Sequence, residues 1–158
     1  GGEGGTWETL KFDDFESGRS KYKSGGKSAI LYKGVNSHQG MKSIRIDNTG
    51  SAGTLTLNNA IDLQTSGYSI LNVEFWFKGV SMENGKDFSL QYFNGTDWVT
   101  VGTYVFGTKF FNDIFYKGNI QIPETIYSFP TNAKIRFVSN GTQTGYVYID
   151  EIRILGLK

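Results

Sequence analysis

The stretch that decides the fold runs from Ser69 to Val101, SILNVEFWFKGVSMENGKDFSLQYFNGTDWVTV. Leu71, Val73, Phe75 and Phe77 alternate with Asn72, Glu74, Trp76 and Lys78, the period of two that marks a strand with one buried face. Asn84-Gly85 follows, Phe88, Leu90 and Tyr92 resume the alternation, and Asn94-Gly95 separates that run from Trp98, Val99 and Val101. Asn-Gly pairs tolerate the positive φ that tight hairpin turns require. The same grammar extends outward on both sides. It predicts strands at Leu10–Phe15, Ser28–Tyr32, Lys42–Asn48, Thr54–Asn58, Ser69–Lys78, Asp87–Phe93, Trp98–Phe106, Ile114–Ile122, Ala133–Ser139 and Gly145–Ile154. Further turns are expected at Gly25-Gly26, Asn48-Thr49-Gly50 and Asn140-Gly141. No long window carries a helical period, so the expected fold is all-β: a two-sheet antiparallel β-sandwich of jelly-roll type with about ten strands. Ile44/Ile46, Leu55/Leu57, Val99/Val101 and Ile135/Phe137 join the inner faces.

Composition narrows the function. The 158 residues suit one domain, with the glycine-rich Gly1–Thr6 as a linker remnant and 7–158 as a single module. There is no cysteine and a single histidine, His38. Disulfides, thiolate zinc sites, cysteine nucleophiles and histidine-based acid–base networks are therefore excluded or poorly served. No stretch approaches the ~18 apolar residues of a membrane span, so no membrane partner is expected. The net charge of +1 conceals a segregation: Ser17–Ile46 holds seven Lys and Arg and no acid, leaving +1 − 7 = −6 elsewhere. This basic segment either solubilises a loop region or faces an anionic partner. With no basic balance overall and no recognition motif, nucleic acid is not expected.

Three residue groups carry candidate chemistry. Trp76 lies on the polar parity of its strand between Glu74 and Lys78. It is either covered by a loop or an exposed ring for stacking on a sugar face. Trp98, just after the Asn94–Asp97 turn, reads as packing over its hairpin. At the chain ends, LKFDDFESG and YVYIDEIRI present Glu16 and Asp150. Asp150 shares the parity of Tyr148 and Ile152 and so is expected to point inward, where a carboxylate needs a cation, an arginine or backbone N–H groups. If the first and last strands are neighbours, Glu16 and Asp150 meet, and an all-oxygen set suits Ca²⁺. Enzyme readings fare worse. No acidic pair is framed for glycoside cleavage, and no G-x-S-x-G surrounds a serine. The sequons at Asn94 and Asn140 read as hairpin turns.

The opening FDDFESG, MKSIRI, the Ser69–Val101 block and the closing GYVYIDEIRILG together resemble calcium-binding β-sandwich carbohydrate-binding modules of MAM-like or jelly-roll type. Such modules are appended to secreted polysaccharide-degrading enzymes of marine bacteria. The resemblance spans Leu10 to Gly156 and implies a structural Ca²⁺ held by the Glu16 and Asp150 side chains with main-chain oxygens of Asp14 and Lys42. It leaves Gly18–Gly40 unplaced. The expected function is a secreted, monomeric, non-catalytic module that carries a parent catalytic domain to a polysaccharide, an algal galactan, sulfated or neutral. The alternative is a MAM-like protein-interaction or adhesion module. Stacking falls to Trp76, Tyr22 or Tyr32. Gln91 and Asn119 are expected to bond hydroxyls, Arg19, Lys23, Lys33 and Arg45 to contact sulfate or carboxylate groups through charge-assisted hydrogen bonds, and Lys78 to join the ligand-binding set. One expected geometry is a groove around Trp76, Gln91, Lys117 and Arg136. The other uses the loops of Arg19–Gln39 at the sandwich edge.

Overall fold

Each alternating run becomes a strand because only one of its faces has a partner layer to be buried against. The computed structural model describes residues 5–19, 21–26, 29–47, 53–139 and 145–158. Among these there is no helix and there are eleven strands: β1 (Trp7–Asp13), β2 (Tyr22–Gly26), β3 (Ala29–Lys33), β4 (Lys42–Asp47), β5 (Gly53–Leu57), β6 (Ile70–Val80), β7 (Asp87–Phe93), β8 (Trp98–Val105), β9 (Tyr116–Pro123), β10 (Lys134–Ser139) and β11 (Tyr146–Leu157). One sheet runs β3-β4-β11-β6-β9, with β1 also paired to β11; the other runs β2-β5-β10-β7-β8. All pairings between these strands are antiparallel. Only β3–β4 and β7–β8 connect strands of the same sheet, so every other connection crosses the sandwich.

The core is aromatic. Phe75 lies 4.8 Å from Phe137 and 5.7 Å from Tyr104, ring centroid to centroid, and Phe77 packs on Phe88 and Phe110 at 5.1 and 5.3 Å. All but Tyr104 are fully buried, each contributing on the order of 2–3 kcal/mol. Opposite Phe75 in β9 stands Gly118, where a Cβ would come within 2.3 Å of the Phe75 ring.

The strand positions depart from expectation in three informative places. First, β1 begins at Trp7 rather than Leu10 and breaks its register between Thr9 and Lys11. Second, Gly25-Gly26 is the end of β2 and no turn, because it pairs with Thr54 and Gly53 of β5 through backbone alone. The Asn94-Gly95 turn forms as expected, with Gly95 at φ 100°, whereas Asn48–Gly50 and Asn140-Gly141 lie outside the described residues.

The third departure concerns Asp150. Asp150 stands opposite Trp76 and Arg153 opposite Glu74, with the register broken between them and Glu151 at φ 49°. A bulge inserts one residue and resets the alternation. Asp150 and Tyr148 therefore share the outer face with Trp76 and Lys78, while Ile152 turns inward; the inward Asp150 of the sequence reading is corrected. At the bulge β11 also changes neighbour, from β4 along 146–149 to β1 along 152–157.

Candidate functional site

The outer face of the β2-β5-β10-β7-β8 sheet carries a continuous polar row. Lys23 pairs with Thr56, Thr56 with Arg136, Arg136 with Gln91, and Gln91 with Thr100. One side chain from each of five strands thus stands in line across the sheet, since directly opposed residues share a face. The inward partners of these positions are Tyr22, Leu57, Phe137, Leu90 and Tyr92, all buried. Arg136 donates from Nε to Oε1 of Gln91 at 2.7 Å, and Gln91 donates from Nε2 to Thr100 Oγ1 at 3.3 Å.

One row along, Lys134 pairs with Phe93 and Phe93 with Trp98. The two rings meet at 5.3 Å and 47°, and the Arg136 guanidinium lies 4.2 Å from the Trp98 ring centroid. Phe93, Trp98, Asn132 and Lys134 line an open cavity of about 380 Å³, within the range that holds small ligands. The Asn94–Asp97 turn joins Phe93 to Trp98, its Asn94 Oδ1 accepting from the N–H groups of Thr96 and Asp97 at 2.9 and 2.8 Å. The cavity and row together offer an aromatic corner, two amides, two threonine hydroxyls and three cations, with no carboxylate among them. Burial pushes the Arg136 guanidinium below its ordinary pKa.

The expected groove joining Trp76 to Gln91, Lys117 and Arg136 does not form. Trp76 and Lys117 are paired on the other sheet, so Gln91 and Arg136 face the opposite side of the sandwich. His38 stacks on Trp76 at 3.9 Å and 8°, with Phe115 edge-on to His38 at 5.3 Å and Lys78 over Phe115 at 5.5 Å. The segment between β3 and β4 is thus folded over Trp76, the loop-covered alternative. Tyr22 is 2% exposed and packs on Phe15 at 5.9 Å, so its ring is core and no stacking surface. The parity that buries Tyr22 puts Lys23 outside, in the polar row.

Of the remaining basic and aromatic candidates, Arg19, Tyr32 and Lys33 lie by the edge formed by β2 and β3, the terminal strands of their sheets, and Arg45 lies one strand in, on β4. Arg19 donates from Nη1 to the Ala29 carbonyl at 2.9 Å. Tyr32 sits edge-on to Tyr148 at 4.8 Å and its hydroxyl accepts from the Asn36 backbone N–H at 3.4 Å. Arg45 lies over the Tyr146 ring at 4.6 Å. Lys33 is exposed beside Lys42. Charged edges of this kind also prevent edge-to-edge pairing.

Glu16 and Asp150 converge on the segment between β3 and β4. The Asp150 carboxylate accepts from the N–H groups of His38 and Gln39 at 2.9 and 3.1 Å and of Glu151 at 2.8 Å. Glu16 accepts from Met41 and Lys42 N–H at 3.1 and 2.8 Å, Asp14 Oδ1 accepts from Glu16 N–H at 3.1 Å, and Lys42 Nζ donates to the Glu16 carbonyl at 3.2 Å. His38 Nδ1 lies 2.7 Å from Glu151 Oε1. Asp150 is fully buried, and that burial pushes its carboxyl up to about 6 against the opposing pull of the three N–H bonds. Among the described residues no group of three or more metal-ligating side chains assembles.

Trp98 packs against Phe93 across the hairpin, as its place after the turn predicts. Its parity with Thr100 also places it on the outer face, beside the polar row. Asn132 precedes its strand and had no periodicity to place it.

No protein-family model matches the chain, and no curated protein sequence matches it. Solved structures do. The CBM22-1 xylan-binding domain of Paenibacillus barcinonensis Xyn10C aligns with TM-score 0.68 at 14% identity, over 96% of each chain. A family 61 carbohydrate-binding module solved with β-1,4-galactotriose aligns with TM-score 0.62 at 18% identity, over 89% of this chain and 92% of that one. The K3 adhesin domain of Lys-gingipain from Porphyromonas gingivalis aligns with TM-score 0.67 at 10% identity, over 95% and 99%. The chain has their β-sandwich fold. At these identities the likeness concerns fold alone.

Proposed function

We propose that this chain is a non-catalytic carbohydrate-binding module whose ligand lies along the outer face of the β2-β5-β10-β7-β8 sheet. The observation that carries this reading is the polar row from Lys23 to Thr100 ending beside the Phe93–Trp98 cavity. An extended polymer can run along such a row. Gln91, Thr56 and Thr100 bond its hydroxyls, and the aromatic corner takes the C–H face of one sugar ring, an apolar contact that orients it. Arg136 is held in place by Gln91, so its remaining N–H groups are presented without much loss of side-chain freedom. Lys23, Lys134 and Arg136, with no carboxylate among the residues of the row and cavity, favour an anionic polymer such as a sulfated algal galactan. The cavity and row lack the paired carboxylates of a glycoside hydrolase. In this reading the module is secreted and monomeric and directs a catalytic domain of the same chain to its substrate.

We also propose a structural Ca²⁺ at Glu16 and Asp150, completed by the main-chain oxygens of Asp14 and Lys42. The buried Asp150 carboxylate is bonded only by backbone N–H groups, with no cationic side chain on it among the described residues. A hard cation matches this all-oxygen set and would offset that buried charge.

Affinity electrophoresis through agarose, carrageenan, porphyran, alginate and xylan, at low and high salt, tests the reading. Retardation by a sulfated galactan, reduced by salt and by Lys134→Ala, is the expected result. Free migration through every gel, together with capture of a protein partner, would replace it with the adhesion module.

A further inference from the structure

The opposite face of the sandwich carries a second cavity, of about 330 Å³, lined by Trp7, Asn72, Glu74, Asn119, Gln121 and Leu155. It is built by register. Asn72 stands opposite Gln121 on one side and Leu155 on the other, Glu74 opposite Asn119, and Trp7 opposite Leu157 at the start of β1. Four strands of the β1–β11–β6–β9 region therefore each contribute to one pocket.

Its chemistry differs from that of the first site. Three amides and one carboxylate surround an indole that is 41% exposed, and no cation lines the cavity. Lys117 Nζ sits 3.7 Å from Glu74 Oε1 and so is directed to the carboxylate, and Arg153, opposite Glu74 on β11, lays its guanidinium over the Phe12 ring at 4.4 Å. Asn72 is only 7% exposed, donates weakly from Nδ2 to Glu74 Oε2 at 3.4 Å, and leaves its buried Oδ1 without a partner. A buried amide oxygen left unpaired costs free energy that a hydroxyl donor from a ligand would recover.

We propose that this cavity is a second binding site, for an uncharged, hydroxyl-rich sugar unit. Trp7 takes the C–H face of the ring, Asn72 Oδ1 accepts from a hydroxyl, and Asn119 and Gln121 bond its neighbours. Sulfated and uronic sugars find no counter-charge there, since no cation lines the cavity. With an anionic polymer on one face and a neutral sugar on the other, the module holds two chain segments at once, and its retention on a mixed wall polymer exceeds that of either site.

The three tryptophans, Trp7, Trp76 and Trp98, give three indole N–H resonances, assigned through Trp→Phe variants of the whole chain. Titration with neutral galactotriose, xylotriose and cellotriose is expected to move the Trp7 signal with at least one of them. Asn119→Ala with Gln121→Ala, both at exposed positions, is expected to weaken that binding about tenfold and leave the melting temperature unchanged. Lys134→Ala leaves it unaffected. A Trp7 signal that no neutral trisaccharide moves overturns the proposal, as does movement undiminished in the double amide variant. Failure of the first site shows separately, as a Trp98 signal indifferent to sulfated galactan oligosaccharides.

Discussion

Trp98→Ala separates two roles that the residue fills at once. As a structural side chain, Trp98 loses its ring contact with Phe93 at 5.3 Å and its cover by Arg136 at 4.2 Å. An aromatic pair is worth about 0.5–1.5 kcal/mol and a cation–π contact about 0.5–2 kcal/mol. The expected destabilisation is therefore about 1–3.5 kcal/mol, a fall in melting temperature of about 2–14 °C for a chain of this length. As a ligand contact, the indole loses the area a sugar ring covers. About 50 Å² at about 25 cal/mol per Å² comes to about 1.3 kcal/mol, or nearly tenfold in Kd. Thermal melts and affinity electrophoresis on sulfated galactan, run well below the melting point, read the two effects independently. Trp98→Phe, which keeps a ring over the hairpin, should recover most of the stability and part of the affinity. If the variant melts earlier but binds every retarding polymer with unchanged affinity, Trp98 is only a hairpin cover and the ligand does not lie at the Phe93–Trp98 cavity.

Three further outcomes follow from the structure. Gly118→Ala drives a methyl to within 2.3 Å of Phe75, whose ring is hemmed in by Phe137 and Tyr104; it should cost about 1–3 kcal/mol of overpacking, and a wild-type urea midpoint would show that β9 can retreat. Burial, joined at Tyr22 by the Asp13 charge, holds the Tyr22 and Tyr92 phenols far above the ordinary 10.0. Native stability is thus intact below pH 10 and is lost as pH rises beyond it, because only the unfolded chain releases these protons. Phenolate absorbance should rise in step with loss of β-sheet circular dichroism, and full ionisation of all nine tyrosines with the sheet signal intact would contradict it. Complete chelation of divalent ions should lower the melting temperature in wild type and leave the Asp150→Asn variant unmoved; equal melts before and after chelation would remove the Ca²⁺ from Glu16 and Asp150.

The sequence-legible part of this protein is local. Hydrophobic alternation identifies inner and outer residues wherever a strand is regular, so Leu71, Val73, Phe75 and Phe77 of β6 and Phe88, Leu90 and Tyr92 of β7 are buried as read. The same arithmetic fails where backbone hydrogen bonding, rather than side chains, sets the register. The bulge at Glu151 adds one residue and turns Asp150 to the outer face, and no feature of YVYIDEIRI announces it. Gly25-Gly26 likewise has turn composition but strand pairing, supplied by β5.

Site residues divide along the same line. That Trp76, Gln91, Lys117 and Arg136 belong to outer faces follows from parity alone. Which outer face each belongs to depends on the sheet its strand joins, and strands adjacent in sequence mostly join opposite sheets. Gln91 and Arg136 become hydrogen-bonded neighbours with Trp98, while Trp76 lies on the far side beneath His38. Parity is a property of single strands, written in the spacing of side chains; the company a residue keeps is settled by cross-strand pairing between segments far apart in the chain, and only the folded sandwich specifies it.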